Sequence, residues 1–232
     1  MENRVNNASL LEAADEFARS RLSETRYSHT LRVADTAEDL ARVHGIDPVR
    51  TRLAALLHDA AREMEPKEFM RLAGTWDLHV GEQERQSPKV LHAPVAAELA
   101  RRELGVVDAE VLAAVGAHTV GEPGMGQLAL ALYVADKIEP ARDYPSVGRI
   151  RDLAREDLGE AAAEALRRAI AHNEERDRPI HPSSRAMLEW LEETQSAAEG
   201  GVEQVELAHR EDEDPQRDGE LPGSARPNAA GQ

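Results

Sequence analysis

Residues 47–60 read Asp47-Pro48-Val49-Arg50-Thr51-Arg52-Leu53-Ala54-Ala55-Leu56-Leu57-His58-Asp59-Ala60. An aspartate followed by proline is a helix start. The carboxylate accepts from free N–H groups of the first turn, and the fixed φ of proline suits the first helical position. Leu53 to Leu57 then run apolar without a break, so the helix, which reads to about Arg62, is buried on most sides. His58 and Asp59 lie inside that run. A buried carboxylate is costly unless it is paired or metal-bound. Neighbouring helical residues point ~100° apart, so the two side chains would reach a polar cavity from adjacent edges. The pair alone is weak evidence, because a single histidine on an apolar face is more often a hydrogen-bonded core residue.

Outward from this stretch the chain reads as helix nearly everywhere. Only 3% of its 232 residues are aromatic, alanine and leucine dominate, and no clean period-two stretch appears. Helices are expected over Leu10–Arg21, Arg26–Val43 (apolar stripe Val33, Ala37, Leu40, Ala41), Pro66–Leu72 and Pro94–Leu104. Others run from Asp108 to His118, and over Gln127–Ile138, Ser146–Asp157, Gly159–Asn173 and Ser183–Thr194. Gly74 to Pro88 reads as loop, and Gly121, Pro123, Gly124 and Gly126 as a turn-rich break. The fold class is therefore all-α. The organisation is a helical body over residues 1–195 and an acidic tail over 196–232, which lacks the apolar surface to offset ordering entropy and reads as disordered.

Composition narrows the function. With 28 Lys and Arg against 44 Asp and Glu, the net charge is −16. Such a field repels nucleic acid, yet it admits a small anion where local cations or metals reverse it. The absence of cysteine excludes disulfides, thiolate metal sites and cysteine nucleophiles. Mean hydropathy is −0.55, no apolar run approaches the ~20 residues of a membrane helix, and Met1-Glu2-Asn3-Arg4 opens no secretory signal. The expectation is a cytoplasmic protein without membrane or nucleic-acid partners.

Five of the nine histidines, His44, His79, His172, His181 and His209, have polar or helix-terminal surroundings and read as surface residues. The other four, His29, His58, His92 and His118, lie at or near the junctions of apolar helices. Asp136 poses the same burial problem as Asp59, in Leu132-Tyr133-Val134-Ala135-Asp136-Lys137. Imidazole with carboxylate suits zinc, iron, manganese, cobalt or nickel rather than calcium.

The ordered set of His, His-Asp, two further His and a late Asp resembles the HD phosphohydrolase superfamily. Within it, the chain is similar to the YqeK family of symmetrical bis(5′-nucleosyl)-tetraphosphatases. The resemblance rests on Arg26-Tyr27-Ser28-His29-Thr30, His58-Asp59, His92-Ala93-Pro94-Val95, His118-Thr119-Val120-Gly121-Glu122-Pro123-Gly124-Met125 and Tyr133-Val134-Ala135-Asp136-Lys137-Ile138-Glu139-Pro140. It implies a helical bundle with a dinuclear metal site in its core, iron with manganese or cobalt as substitutes. His29, His58, Asp59 and Asp136 would hold one ion, and His92 and His118 the second, with Asp59 bridging. A metal-bound hydroxide would attack an inner phosphorus of diadenosine tetraphosphate and release two ADP. Asp59 and Arg62 are the catalytic candidates. Arg26, Arg62, Lys137 and Arg142 are expected at the phosphates, with Thr30 and Thr119 as hydroxyl donors. Arg62 stands where HD proteins often carry lysine, Ala60 where a larger residue is common, and the Gly74–Pro88 loop is left for base recognition.

Three other readings stay open: a different HD nucleotide phosphohydrolase (nucleotidase or alarmone hydrolase), a di-iron oxygenase, and a non-catalytic helical module docking through its tail. The oligomeric state is open as well, a homodimer included.

Overall fold

A computed structural model describes residues 2–211, with side chains over residues 8–197. Its elements are α1 (Glu2–Arg21), α2 (Glu24–Val43), α3 (Pro48–Leu57), α4 (Pro66–Trp76), α5 (Glu82–Gln86), a 3₁₀ turn (Pro88–Leu91), α6 (His92–Glu103), α7 (Ala109–Ala117), α8 (Gln127–Ile138), α9 (Val147–Glu156), α10 (Leu158–Glu174) and α11 (Pro182–Glu211). No strand occurs among the described residues, as the composition requires. Nor is any helix there long and apolar enough to cross a membrane.

The caps expected at Asp47 and Asp108 form, and the structure adds one at Asp157, which the sequence reading places at the end of the preceding helix. Asp47 accepts from the N–H groups of Val49 (2.9 Å) and Arg50 (3.2 Å), Asp108 from those of Glu110 (3.1 Å) and Val111 (3.2 Å), and Asp157 from that of Glu160 (2.9 Å). Each satisfies first-turn donors that have no helical partner. The most buried helix is α8, where every residue from Leu128 to Asp136 is buried. It packs against α2, α3, α7, α9 and α10, while α2 and α3 pair closely and α6 packs on α7. Alanines such as Ala34, Ala54, Ala114, Ala131 and Ala161 are fully buried, so helix axes approach closely around α8.

Several boundaries differ from the sequence reading, among them the start of α1, at Glu2 rather than Leu10. The segment read as loop from Gly74 contains the end of α4, the short α5 and the 3₁₀ turn. There Glu84 accepts the Gly81 N–H at 2.8 Å, closing α5 by a side chain that periodicity does not register. The helix expected to reach Arg62 stops at Leu57. Beyond it the chain turns through 3₁₀-type bonds, Ala60 N to Leu57 O and Arg62 N to Asp59 O, so Arg62 does not continue the face of His58. Finally, α11 continues past Ser196 to Glu211, carried by alanine, glutamate and glutamine despite Gly200-Gly201. Residues 1–195 form one compact unit; the acidic run from Asp212 onward, expected to be disordered, lies outside the described residues.

Candidate metal centre

Three of the four junction histidines share one local geometry. His58 is the C-cap of α3, His92 follows the 3₁₀ turn, and His118 is the C-cap of α7. The last carbonyls of a helix lack intrahelical donors; the rings of His58 and His118 serve such carbonyls, and the ring of His92 adds a second donor to Lys89 O, which also accepts the His92 N–H. Nδ1–H of His58 donates to Ala55 O (2.6 Å), that of His92 to Lys89 O (2.6 Å) and that of His118 to Val115 O (2.8 Å). A carbonyl only accepts, so the proton sits on Nδ1 and each Nε2 presents a lone pair. His29, inside α2, is oriented by a carboxylate instead: its Nδ1 lies 3.2 Å from Glu139 Oε1. Glu139 is buried and is held in turn by Arg32 Nε (2.6 Å) and the Ala141 N–H (2.8 Å).

All four Nε2 atoms surround the Asp59 carboxylate. They lie 3.3 Å (His92), 3.6 Å (His58), 3.7 Å (His118) and 3.9 Å (His29) from its oxygens. His29 Nε2 is also 3.1 Å from Asp136 Oδ1. The imidazoles form a continuous edge-to-face series, His29–His58–His118–His92, with ring centroids 4.9 to 5.7 Å apart. The six side chains expected to converge are therefore together, and all six are buried.

The electrostatics of this cluster call for a cation. Burial pushes the His118 imidazole down to about 4 and lowers that of His58, so both are neutral at pH 7. The Asp59 carboxyl is held well below the usual carboxylate range despite its burial, and the Arg26 guanidinium contacts it at 3.2 Å. Asp136 behaves alike: burial raises it, and the Lys137 and Arg142 cations outweigh burial. Two ionised carboxylates thus face the Nε2 atoms of His58 and His118. His92 Nε2 and His118 Nε2 stand 3.1 Å apart, and with both protons committed to Nδ1 neither donates to the other. Nε2 of His29 and of His58 are buried without any hydrogen-bond partner. Unshared lone pairs at such separations repel unless a positive charge lies between them. Two overlapping groups, His29–His58–Asp136 and His58–Asp59–His118, each bring ligand atoms within 4.8 Å of one another. The donor set fits a divalent metal.

The remaining candidates are placed less uniformly. Arg26 Nη1 contacts Asp59 Oδ2 at 3.2 Å, and Asp136 takes Lys137 Nζ (2.7 Å) and Arg142 Nη2 (2.8 Å). These cations lie on the ligand carboxylates as well as on two cavities. Arg26 lines one of about 500 Å³ with Arg62 and Lys89. Lys137 and Arg142 line one of about 340 Å³. Thr119 Oγ1 lies 3.1 Å from His92 Nε2 and 3.2 Å from His118 Nε2, at the ligand nitrogens. Thr30 is fully buried, its hydroxyl has no partner, and it lines neither cavity; next to His29 on a helix, it points ~100° away from the centre. Sequence reasoning gave no role to Glu139 or Arg32. The available signals were an acid ending an apolar helix before Pro140 and an arginine three residues after His29.

The HD domain model matches residues 26–141. The symmetrical bis(5′-nucleosyl)-tetraphosphatase of Bacillus subtilis is 36% identical over 173 residues, covering 75% of this chain and 92% of that protein. The protein of the same name from Halalkalibacterium halodurans is also 36% identical, over 76% of this chain and 94% of its own. The chain belongs to the HD-domain family of these tetraphosphatases. A crystal structure described as an HD superfamily hydrolase involved in NAD metabolism, from Clostridium acetobutylicum, superimposes with a TM-score of 0.77 at 28% identity, over 79% of this chain and 97% of that one. The HD match opens at Arg26 and closes just past Glu139 and Pro140, so it encloses all six convergent side chains together with the Glu139 support.

Proposed function

We propose that this HD domain is a divalent-metal hydrolase that adds water across the central linkage of a dinucleoside tetraphosphate, converting diadenosine tetraphosphate to two ADP. The observation that carries the reading is the Asp59 carboxylate ringed by imidazole lone pairs, with arginine- and lysine-bearing cavities beside it. His29, His58, Asp59 and Asp136 would hold one ion, and His92 and His118 a second that shares Asp59. We favour iron, with manganese or cobalt as substitutes. Metal bound there supplies Lewis-acid charge to phosphoryl oxygens and makes water a stronger nucleophile near neutral pH.

The chain's own groups do the rest. The protons on Nδ1 of His58, His92 and His118 are held by backbone carbonyls, so these rings are ligands rather than proton shuttles. Arg26, Arg62 and Lys89 on one side, and Lys137 and Arg142 on the other, would neutralise the polyphosphate and orient it for in-line attack. The leaving group is a nucleoside diphosphate, a weak base, which lowers the demand for a general acid.

The test is anaerobic purification, metal quantitation and product chromatography with diadenosine tetraphosphate. Two ADP per substrate is expected; ATP with AMP, or no cleavage in any of iron, manganese and cobalt, overturns the reading. Asp59→Asn should lose metal and turnover together.

A further inference from the structure

The cavity beside α8 and α10 has a composition that the metal centre does not explain. Five of its lining residues, Ala165, Arg168, Ala169, His172 and Asn173, recur at the i, i+3, i+4, i+7, i+8 spacing of one helical face. The two alanines leave room along that face. Lys137, Arg142 and Tyr144 complete the lining. Not one carboxylate lines it, in a chain with 44 acidic and 28 basic residues.

The polar groups are held in place. Tyr144 Oη donates to Lys137 O at 2.8 Å, which fixes the ring, and the Arg168 guanidinium lies 5.5 Å from that ring's centroid. A guanidinium stacked on an aromatic face keeps its N–H donors available for phosphate. Arg168 has no ion-pair partner among the described residues. His172 Nδ1 accepts from Arg176 Nη1 at 2.9 Å, so neutral His172 carries its proton on Nε2. The Asn173 amide offers a donor and an acceptor together, the pattern that matches a purine edge. Lys137 and Arg142 connect this cavity to the centre, because both also contact Asp136. A volume of about 340 Å³ lies at the small end of ligand pockets, which span roughly 300–1,000 Å³. That suits half of a dinucleotide, not the whole.

We infer that this cleft takes one nucleoside diphosphate end of the substrate. Its phosphates would run along Lys137, Arg142 and Arg168, and its base over the Ala165–Ala169 strip towards Asn173. The inference rests on the reading that the substrate is a dinucleoside polyphosphate. Arg168, His172 and Asn173 lie outside the segment that the HD domain model matches, so they would set the preference for a nucleotide rather than for bare phosphate.

The test compares the metal-loaded wild type with Arg168→Glu, Arg168→Ala and Asn173→Ala. Calorimetry measures binding of ADP and of pyrophosphate, and steady-state kinetics gives KM and kcat on diadenosine tetraphosphate. Both Arg168 variants should weaken ADP by about tenfold or more and raise KM by more than they lower kcat, with metal content and Tm as in wild type. Asn173→Ala should weaken ADP and leave pyrophosphate unchanged. ADP affinity and KM within about twofold of wild type in both Arg168 variants would overturn the inference, as would equal loss of ADP and pyrophosphate in Asn173→Ala. Arg168-dependent ADP binding by an enzyme that leaves diadenosine tetraphosphate uncut would uphold the cleft and overturn the hydrolase reading. Cleavage indifferent to Arg168 would do the reverse.

Discussion

Among single residues, Glu139 makes the clearest case for support from behind the ligands. It is buried, takes His29 Nδ1, and is itself held by Arg32 and the Ala141 amide. A carboxylate accepting the second imidazole proton fixes the tautomer and makes the ligating nitrogen more basic. Glu139→Gln keeps the size of the side chain and removes the charge, so it should reduce metal affinity by about 10–100-fold. Competition against a graded series of chelators measures this directly, and unchanged affinity would leave Glu139 a purely structural acid. The sequence made the six inner side chains legible because histidine and aspartate are conspicuous at apolar helix ends. Glu139 was not, since a glutamate before proline looks like any helix terminus until its burial is known. The same limit explains Thr30, where adjacency to His29 in sequence meant side chains about 100° apart around the helix.

At the level of elements, the decisive feature is how α7 ends. His118 must leave the helix with its ring folded back on Val115 O, and the chain must then reverse. Gly121 makes that reversal with φ at +70°, and its N–H bonds to Ala117 O at 2.8 Å. A Cβ there would collide with the Met187 sulfur of α11. Both constraints account for glycine in His118-Thr119-Val120-Gly121. Gly121→Ala should cost about 1–2 kcal/mol from the left-handed backbone alone, more from the collision, and should lower metal content through His118. Urea unfolding with and without Met187→Ala separates the two contributions. The penalty should shrink in the Met187→Ala background but not vanish, and a penalty of zero there would remove the backbone argument. Helix identity was readable from caps and periodicity, whereas α3 and the region around α5 were misjudged. At both places the chain is governed by side chain–backbone bonds, Ala55 O to His58 and Gly81 N to Glu84, which periodicity does not encode.

For the molecule as a whole, residues 1–195 contain the complete centre, both cationic cavities, and the buried Met187 and Leu191 of α11. Of the net charge of −16, −6 belongs to residues 199–232. Truncation after Gln195 should therefore leave Tm, metal content and turnover close to those of the full chain; a large loss of turnover would give the acidic segment a part in the reaction. The all-α class could be read from composition and periodicity, and the convergence of the distant histidines from the family resemblance that their order carries. The cavities could not, since they depend on which helices become neighbours. The backbone oxygens of Ala55, Lys89 and Val115 carry one more implication. Each imidazole is anchored to the helical turn just before it in the chain, the last of α3, the 3₁₀ turn and the last of α7, so fraying of any of those turns slackens a coordinating arm. Retention of the ion and integrity of three helical termini are, in this protein, a single mechanical property.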